Sequence, residues 1–146
     1  MQWLLTAHVR RYHAMRGRAS CGRVWQGRFK AFPIQQDEHL LTVLRYVERI
    51  ALRANIVRRA EDWAWSSART PGALQLCSPL ERPEGWSEFV NAPQTPAEIE
   101  AIQRSVARGA PLGSEAWVAE TASSLGLESS LRPRGRPPKD TAALEG

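Results

Sequence analysis

The sequence predicts an α+β chain that is mostly helical, on three observations. Apolar residues recur at spacings of three and four in four separate stretches, the signature of amphipathic helices. One stretch, Val24 to Gln35, alternates as a strand does. Six prolines and glycines between Thr70 and Pro93 mark a loop between the two halves. A length of 146 residues fits one modest domain, or a small core with tails, and excludes a large multidomain enzyme. With 42% hydrophobic and 24% charged residues, the chain is not expected to be disordered throughout.

The first expected helix is Met1 to Arg16. Leu4, Leu5, His8, Tyr12 and Met15 share a face, with Arg10, Arg11 and Arg16 around them. Gly17 to Gly22 is a polar break. Val24 to Gln35 follows as one strand, bent near Gly27 and held to an edge by Pro33. One strand cannot satisfy its own backbone hydrogen bonds, so its partners are expected from residues ahead of Met1 or from another chain.

Asp37 is placed to cap a helix running to about Ile50, with Leu40, Leu41, Val43, Leu44 and Val47 as its apolar stripe. Tyr46 lies about 120° from the centre of that stripe, bordering the polar face with its hydroxyl within reach of solvent or a ligand. Leu52 to Arg59 reads as a second short helix, and Glu61 to Ser67 as an aromatic turn rich in capping residues. At most one short helix is expected before Pro93. Thr95 to Arg108 is the clearest helix: Thr95 caps, Pro96 takes the first helical position, Glu98 completes a capping box and Gly109 stops it. Ser114 to Leu125 is the next, with Trp117, Val118, Thr121, Ala122 and Leu125 inward and Gly126 after it. The organisation expected is therefore 1–68, a linker at 69–94, a helical hairpin at 95–128 and a basic tail at 129–146.

No apolar run approaches the roughly 18 residues of a membrane span. The first residues lack the charge and apolar core of a signal peptide, so the expected address is the cytoplasm, at the nucleoid, with no membrane partner. Cys21 and Cys77 form neither a disulfide framework nor a zinc spacing. His8, His13 and His39 form no ligand cluster, so no metal site is assigned. Ser66 and Ser67 read as turn caps rather than nucleophiles, and Trp63, Trp65 and Trp117 as core and staple residues.

The net charge of +5 conceals a division. Residues 1–60 hold 12 Arg and Lys against 3 acids, a net of +9; residues 61–128 hold 4 against 10, a net of −6. Lys30 and Lys139 are the only lysines. Guanidinium groups fork onto phosphate oxygens and stack on bases, which suits a nucleic-acid partner. A solvated basic face accounts for the composition equally well. The motif Arg132-Pro133-Arg134-Gly135-Arg136-Pro137-Pro138-Lys139 is sharper, having the Arg-Gly-Arg-Pro order of an AT-hook. Its glycine lets the backbone sink into a narrow minor groove, where the arginines spread along A·T tracts.

One ordered set of motifs goes further. Tyr12-His13, then Val24-Trp25-Gln26-Gly27-Arg28-Phe29-Lys30, then Leu44-Arg45-Tyr46-Val47-Glu48-Arg49 and Leu52-Arg53-Ala54, then Trp63-Ala64-Trp65-Ser66-Ser67, resembles the REP-associated tyrosine transposases, which are HUH-type single-tyrosine enzymes of insertion sequences. The resemblance covers about residues 1–68. It implies a remnant of a ferredoxin-like (RRM-like) catalytic domain. It also implies cleavage and rejoining of single-stranded DNA beside hairpins through a 5′-phosphotyrosine, with Tyr46 as the aligned nucleophile. In the family a His-hydrophobe-His pair holds a divalent metal such as Mg²⁺ that polarises the phosphate.

The sequence departs from that pattern in two ways. No His-hydrophobe-His triplet is present, and Ile50 and Ala51 stand where the family usually has Asn-Pro. An apolar isoleucine cannot ligate a hard cation. The expectation is a truncated or decayed transposase polypeptide, without a cofactor, that binds DNA and does not cleave it. The expected DNA contacts are Arg10, Arg11, Arg28, Lys30, Arg45, Arg49, Arg53, Arg132, Arg134, Gly135, Arg136 and Lys139. A homodimer is left open. The alternative is a non-enzymatic regulator that grips A·T-rich duplex with the tail.

Overall fold

Gln2–Arg16 forms α1 in the computed structural model, which describes residues 1–16, 22–25, 27–69 and 80–132. The other helices are α2 (Glu38–Glu48), α3 (Ile50–Arg53), α4 (Trp86–Asn91), α5 (Pro96–Arg108), α6 (Glu115–Leu125) and α7 (Glu128–Leu131), with a 3-10 turn at Ala60–Asp62. The architecture is thus mostly helical, as the periodicity predicts. The chain divides into two compact units, Met1–Ala31 and Phe32–Gly146.

In the first unit, α1 buries none of its residues. Its stripe serves a local aromatic cluster instead: the His8 ring lies 5.2 Å from Trp25 and 6.4 Å from Tyr12, and Arg16 sits over the Tyr12 ring. The break at 17–21 lies outside the described residues.

Among the described residues of Val24 to Gln35, the expected strand does not form. Its described residues bend around Val24–Trp25 and Gly27–Arg28, and within the second unit a single parallel bridge joins Ile34 to Leu112. Leu112 N–H donates to the Pro33 carbonyl, and Gln35 N–H donates to the Leu112 carbonyl. Alternation gives a segment two faces but no hydrogen-bonding partner, and here the partner is one residue of a loop. Among the described residues there is no ferredoxin-like sheet.

The second unit is organised by α2. Asp37 caps it, its carboxylate accepting from the His39 N–H at 2.9 Å. At its far end Arg49 carries the chain into α3: Arg49 N–H donates to the Arg45 carbonyl and Arg53 N–H to the Arg49 carbonyl, so one face continues across both helices. The helix ends at Arg53 rather than starting at Leu52 and reaching Arg59, and Asn55 then takes the left-handed region at φ 56°.

Ala60, Trp86 and Val90 form the core cluster, with Leu41, Leu44 and Ala68 packed against it. The loop expected before Pro93 supplies that core through a short helix, α4. Its segment 70–79 lies outside the described residues. The capping box of Thr95 and Glu98 is present at α5, and Gly109 and Gly126 end α5 and α6 in the left-handed region. Along α6, Ala122 is buried, Trp117, Val118 and Thr121 are half-buried, and Leu125 faces solvent. Arg45 of α2 pairs with Glu98 of α5 at 3.7 Å, which ties α5 to α2.

Candidate nucleic-acid interface

The α2–α3 segment carries Arg45, Tyr46, Glu48, Arg49 and Arg53, and the fold sorts them by face. The two buried positions of α2 are charged: Arg45 and Glu48, each 5% exposed. Arg45 donates to the carbonyls of Ala92 (2.8 Å) and Pro93 (2.9 Å), and its guanidinium lies 4.1 Å over the Phe89 ring. Arg49 donates to the carbonyls of Val90 and Asn91. Together they satisfy the carbonyls at the C-terminal end of α4, where cations are also favoured by the peptide dipoles. Burial, and then the charges of Arg45 and Arg53, lower the pKa of Arg49 from the usual arginine range.

Arg45 and Arg49, expected at DNA, are therefore turned toward α4, buried and half-buried respectively, each donating through one terminal nitrogen to two carbonyls of the fold. Arginine is the side chain best suited to such a place, because its planar fork satisfies several carbonyls at once.

Glu48 is the counterpart. Its buried carboxylate accepts from Ser67 Oγ (2.7 Å), from Arg82 (2.5 Å) and from the Trp86 indole N–H (2.8 Å). A buried charge is tolerable only when paired and hydrogen-bonded, and three donors meet that condition. Ser66 Oγ accepts from the Ala68 N–H within the turn, whereas Ser67 Oγ ties the turn to Glu48. Asn91 ties the neighbouring 3-10 turn to α4: its amide donates to Glu61, and its carbonyl oxygen accepts from the Ala60 N–H. The Asn91 amide, then the Glu61 backbone N–H and Arg59, outweigh desolvation and hold the Glu61 carboxyl at about 2.

Tyr46 and Arg53 lie on the outer face. The Arg53 guanidinium sits 4.1 Å from the centre of the half-buried Tyr46 ring, two helical turns earlier in sequence. The exposed Ile50 is one turn beyond Tyr46, beside Ala51 and Arg49, and these side chains offer a divalent cation no oxygen or imidazole. Among the described residues one group of three metal-type ligands occurs, Asp37, Glu38 and His39, at the other end of α2. There Asp37 is already committed, as N-cap and as partner of His39 Nδ1 at 2.7 Å. Partial desolvation raises the Asp37 pKa, and the His39 N–H and imidazole together outweigh it, leaving it lowered. The surroundings of Tyr46 do not fit the metal that the resemblance implies.

Arg10, Arg11, Arg28 and Lys30 are exposed in the first unit and make no ion pair among the described residues. Arg132 is exposed, its carbonyl accepting from Arg108. Arg134, Gly135, Arg136 and Lys139 lie outside the described residues.

Sequence reasoning misplaced one aromatic. Trp65, expected in the core, is 84% exposed. It borders an apolar pocket of about 380 Å³ between the α2–α3 face and the Trp63–Ser67 turn, with Val47, Ile50, Ile56 and Trp63 on its walls. Ser66 was the available signal, because a serine that bonds the backbone two residues on makes a tight turn, and Trp65 stands just before it. Comparisons with protein-family models, with curated proteins and with solved structures find no match. No helix among the described residues is long and apolar enough to cross a membrane.

Proposed function

We propose that this chain is a DNA-binding polypeptide related to the single-tyrosine transposases, which holds single-stranded, hairpin-bearing DNA and does not cleave it by itself. The observation that carries this reading is the sorting of its arginines. Two are consumed inside the fold, while Arg10, Arg11, Arg28, Lys30 and Arg53 are exposed without acidic partners among the described residues. Solvated guanidinium groups release counterions when they meet phosphates, giving affinity without a dedicated pocket.

Tyr46, half-buried on the outer face of α2 beside Arg53, is the residue read as the nucleophile. Attack by its phenol on phosphorus would also need the charge on the phosphate oxygens to be neutralised and the departing 3′-oxygen stabilised. Arg53 is one cation, and it is stacked on the phenol ring itself. Ile50 adds nothing to that task.

The test is a hairpin-bearing oligonucleotide incubated with the full chain and Mg²⁺. The expected result is a reversible complex with no covalent protein–DNA adduct, for the natural chain and for Tyr46→Phe alike. An adduct that disappears in Tyr46→Phe would overturn the claim that the chain does not cleave.

A further inference from the structure

We propose that the pocket beside Trp65 captures an unpaired nucleobase of single-stranded DNA, with the Trp65 indole as its stacking platform; this rests on the DNA-binding reading above and adds the site at which a base is held.

The exposure of Trp65 is not that of a loose loop tip. The Trp63 N–H donates to the Ala60 carbonyl, the Ser66 N–H to the Trp63 carbonyl and the Arg69 N–H to the Ser66 carbonyl, so successive turns fix the backbone on either side of it. Ser67 anchors the same turn to the buried Glu48. A large ring presented to water by an ordered turn beside exposed Val47, Ile50 and Ile56 makes a contiguous apolar patch of the kind that marks a binding surface. Its volume of about 380 Å³ lies in the range of small-ligand clefts.

Charge complementarity selects the occupant. Ile56 is shared with an adjoining depression lined by Arg58, and Arg69 follows the turn two residues after Ser67. Both arginines are exposed and make no ion pair among the described residues. A ligand with a flat apolar face and an attached anion satisfies the wall and the rim together, and a nucleotide within a single strand is such a ligand. Two acids lie nearby. Glu48 lines the pocket with its carboxylate filled by three donors, and Asp62 shares the depression with Arg58 and accepts from the Arg59 N–H. Duplex DNA keeps its bases stacked and offers the platform nothing.

The experiment compares the full-length natural chain with Trp65→Ala and Trp65→Phe by fluorescence anisotropy on labelled oligothymidylate, on an oligomer carrying abasic sites, and on duplex. Trp65→Ala is expected to bind oligothymidylate roughly 5- to 150-fold more weakly, the effect of losing one stacked base. Trp65→Phe should retain most of the affinity. The abasic oligomer and duplex should not distinguish the variants. An equal loss on every DNA, or no loss on oligothymidylate, overturns the base pocket and leaves DNA binding standing. Failure of the natural chain to bind any of the three overturns the DNA-binding reading. Unchanged DNA affinity with reduced self-association of Trp65→Ala by light scattering would assign the patch to a second copy of the chain instead.

Discussion

The carboxylate of Glu48 accepts the indole N–H of Trp86 at 2.8 Å, across 38 residues of sequence, inside the fold. Trp86 belongs to the core cluster and Glu48 to the helix bearing Tyr46, so this bond fixes the depth at which α2 sits against α4. Removing one partner of a buried charged network leaves the others unsatisfied. Glu48→Ala is expected to destabilise the chain by about 3–5 kcal/mol, and Trp86→Phe by about 1.5–3 kcal/mol. Urea unfolding of both measures this; a loss below about 0.5 kcal/mol for Glu48→Ala would place the carboxylate in water.

The division among the arginines predicts a division of phenotypes. Arg45→Gln should lower stability by about 2 kcal/mol or more, since the Ala92 and Pro93 carbonyls lose their donor. It should leave the salt dependence of DNA binding in the folded chain unchanged. Arg53→Gln should do the reverse, reducing the salt slope on single strands by about 0.7 at little cost in stability.

Acid should unfold the chain in part through Glu61. Its carboxyl is held at about 2 in the folded chain, against an ordinary value of 4.5, because Asn91, then its own backbone N–H and Arg59, bind the charged form. A lowered folded pKa contributes stability that is full above about 4.5 and is lost as the pH falls through about 2. Glu61→Gln should therefore flatten the fall in stability between those values. An identical pH profile for the natural chain and the variant would refute the interaction.

Gly113 permits a close approach. A Cβ there would lie 2.5 Å from Gln35 Oε1 and 2.6 Å from Trp117 Cε3. Gln35 Oε1 also accepts from the Ser114 N–H at 2.8 Å, so it cannot withdraw without leaving that donor unpaired. Gly113→Ala should cost about 1–3 kcal/mol, measured by thermal or urea unfolding. A neutral result would show that Gln35 and Trp117 can move aside.

The parts legible in the sequence are those decided locally. Asp37, Thr95 with Glu98, Gly109 and Gly126 set helix ends through bonds to their own neighbours, and the structure has those ends. The alternation at Val24 to Gln35 predicts a strand, but pairing is decided by a partner that alternation does not reveal. Arg45 looks like a surface cation in any helical wheel. Only the arrival of α4, more than forty residues later, brings carbonyls for it to satisfy. Trp65 reads in the sequence as a core or staple residue, whereas the turn at Ser66, anchored by Ser67 to Glu48, leaves it facing outward. Tyr46 stands on the flank where the wheel puts it, and the stack with Arg53 depends on the run from α2 into α3.

The salt dependence of DNA affinity tests the central claim most directly. For the natural chain on a hairpin-bearing single strand, log K should fall steeply with log salt, by about 0.7 for each phosphate neutralised. The Arg10→Gln/Arg11→Gln variant should show a slope shallower by about 1–1.5. An affinity indifferent to salt, or a slope unaltered in that variant, would contradict the account.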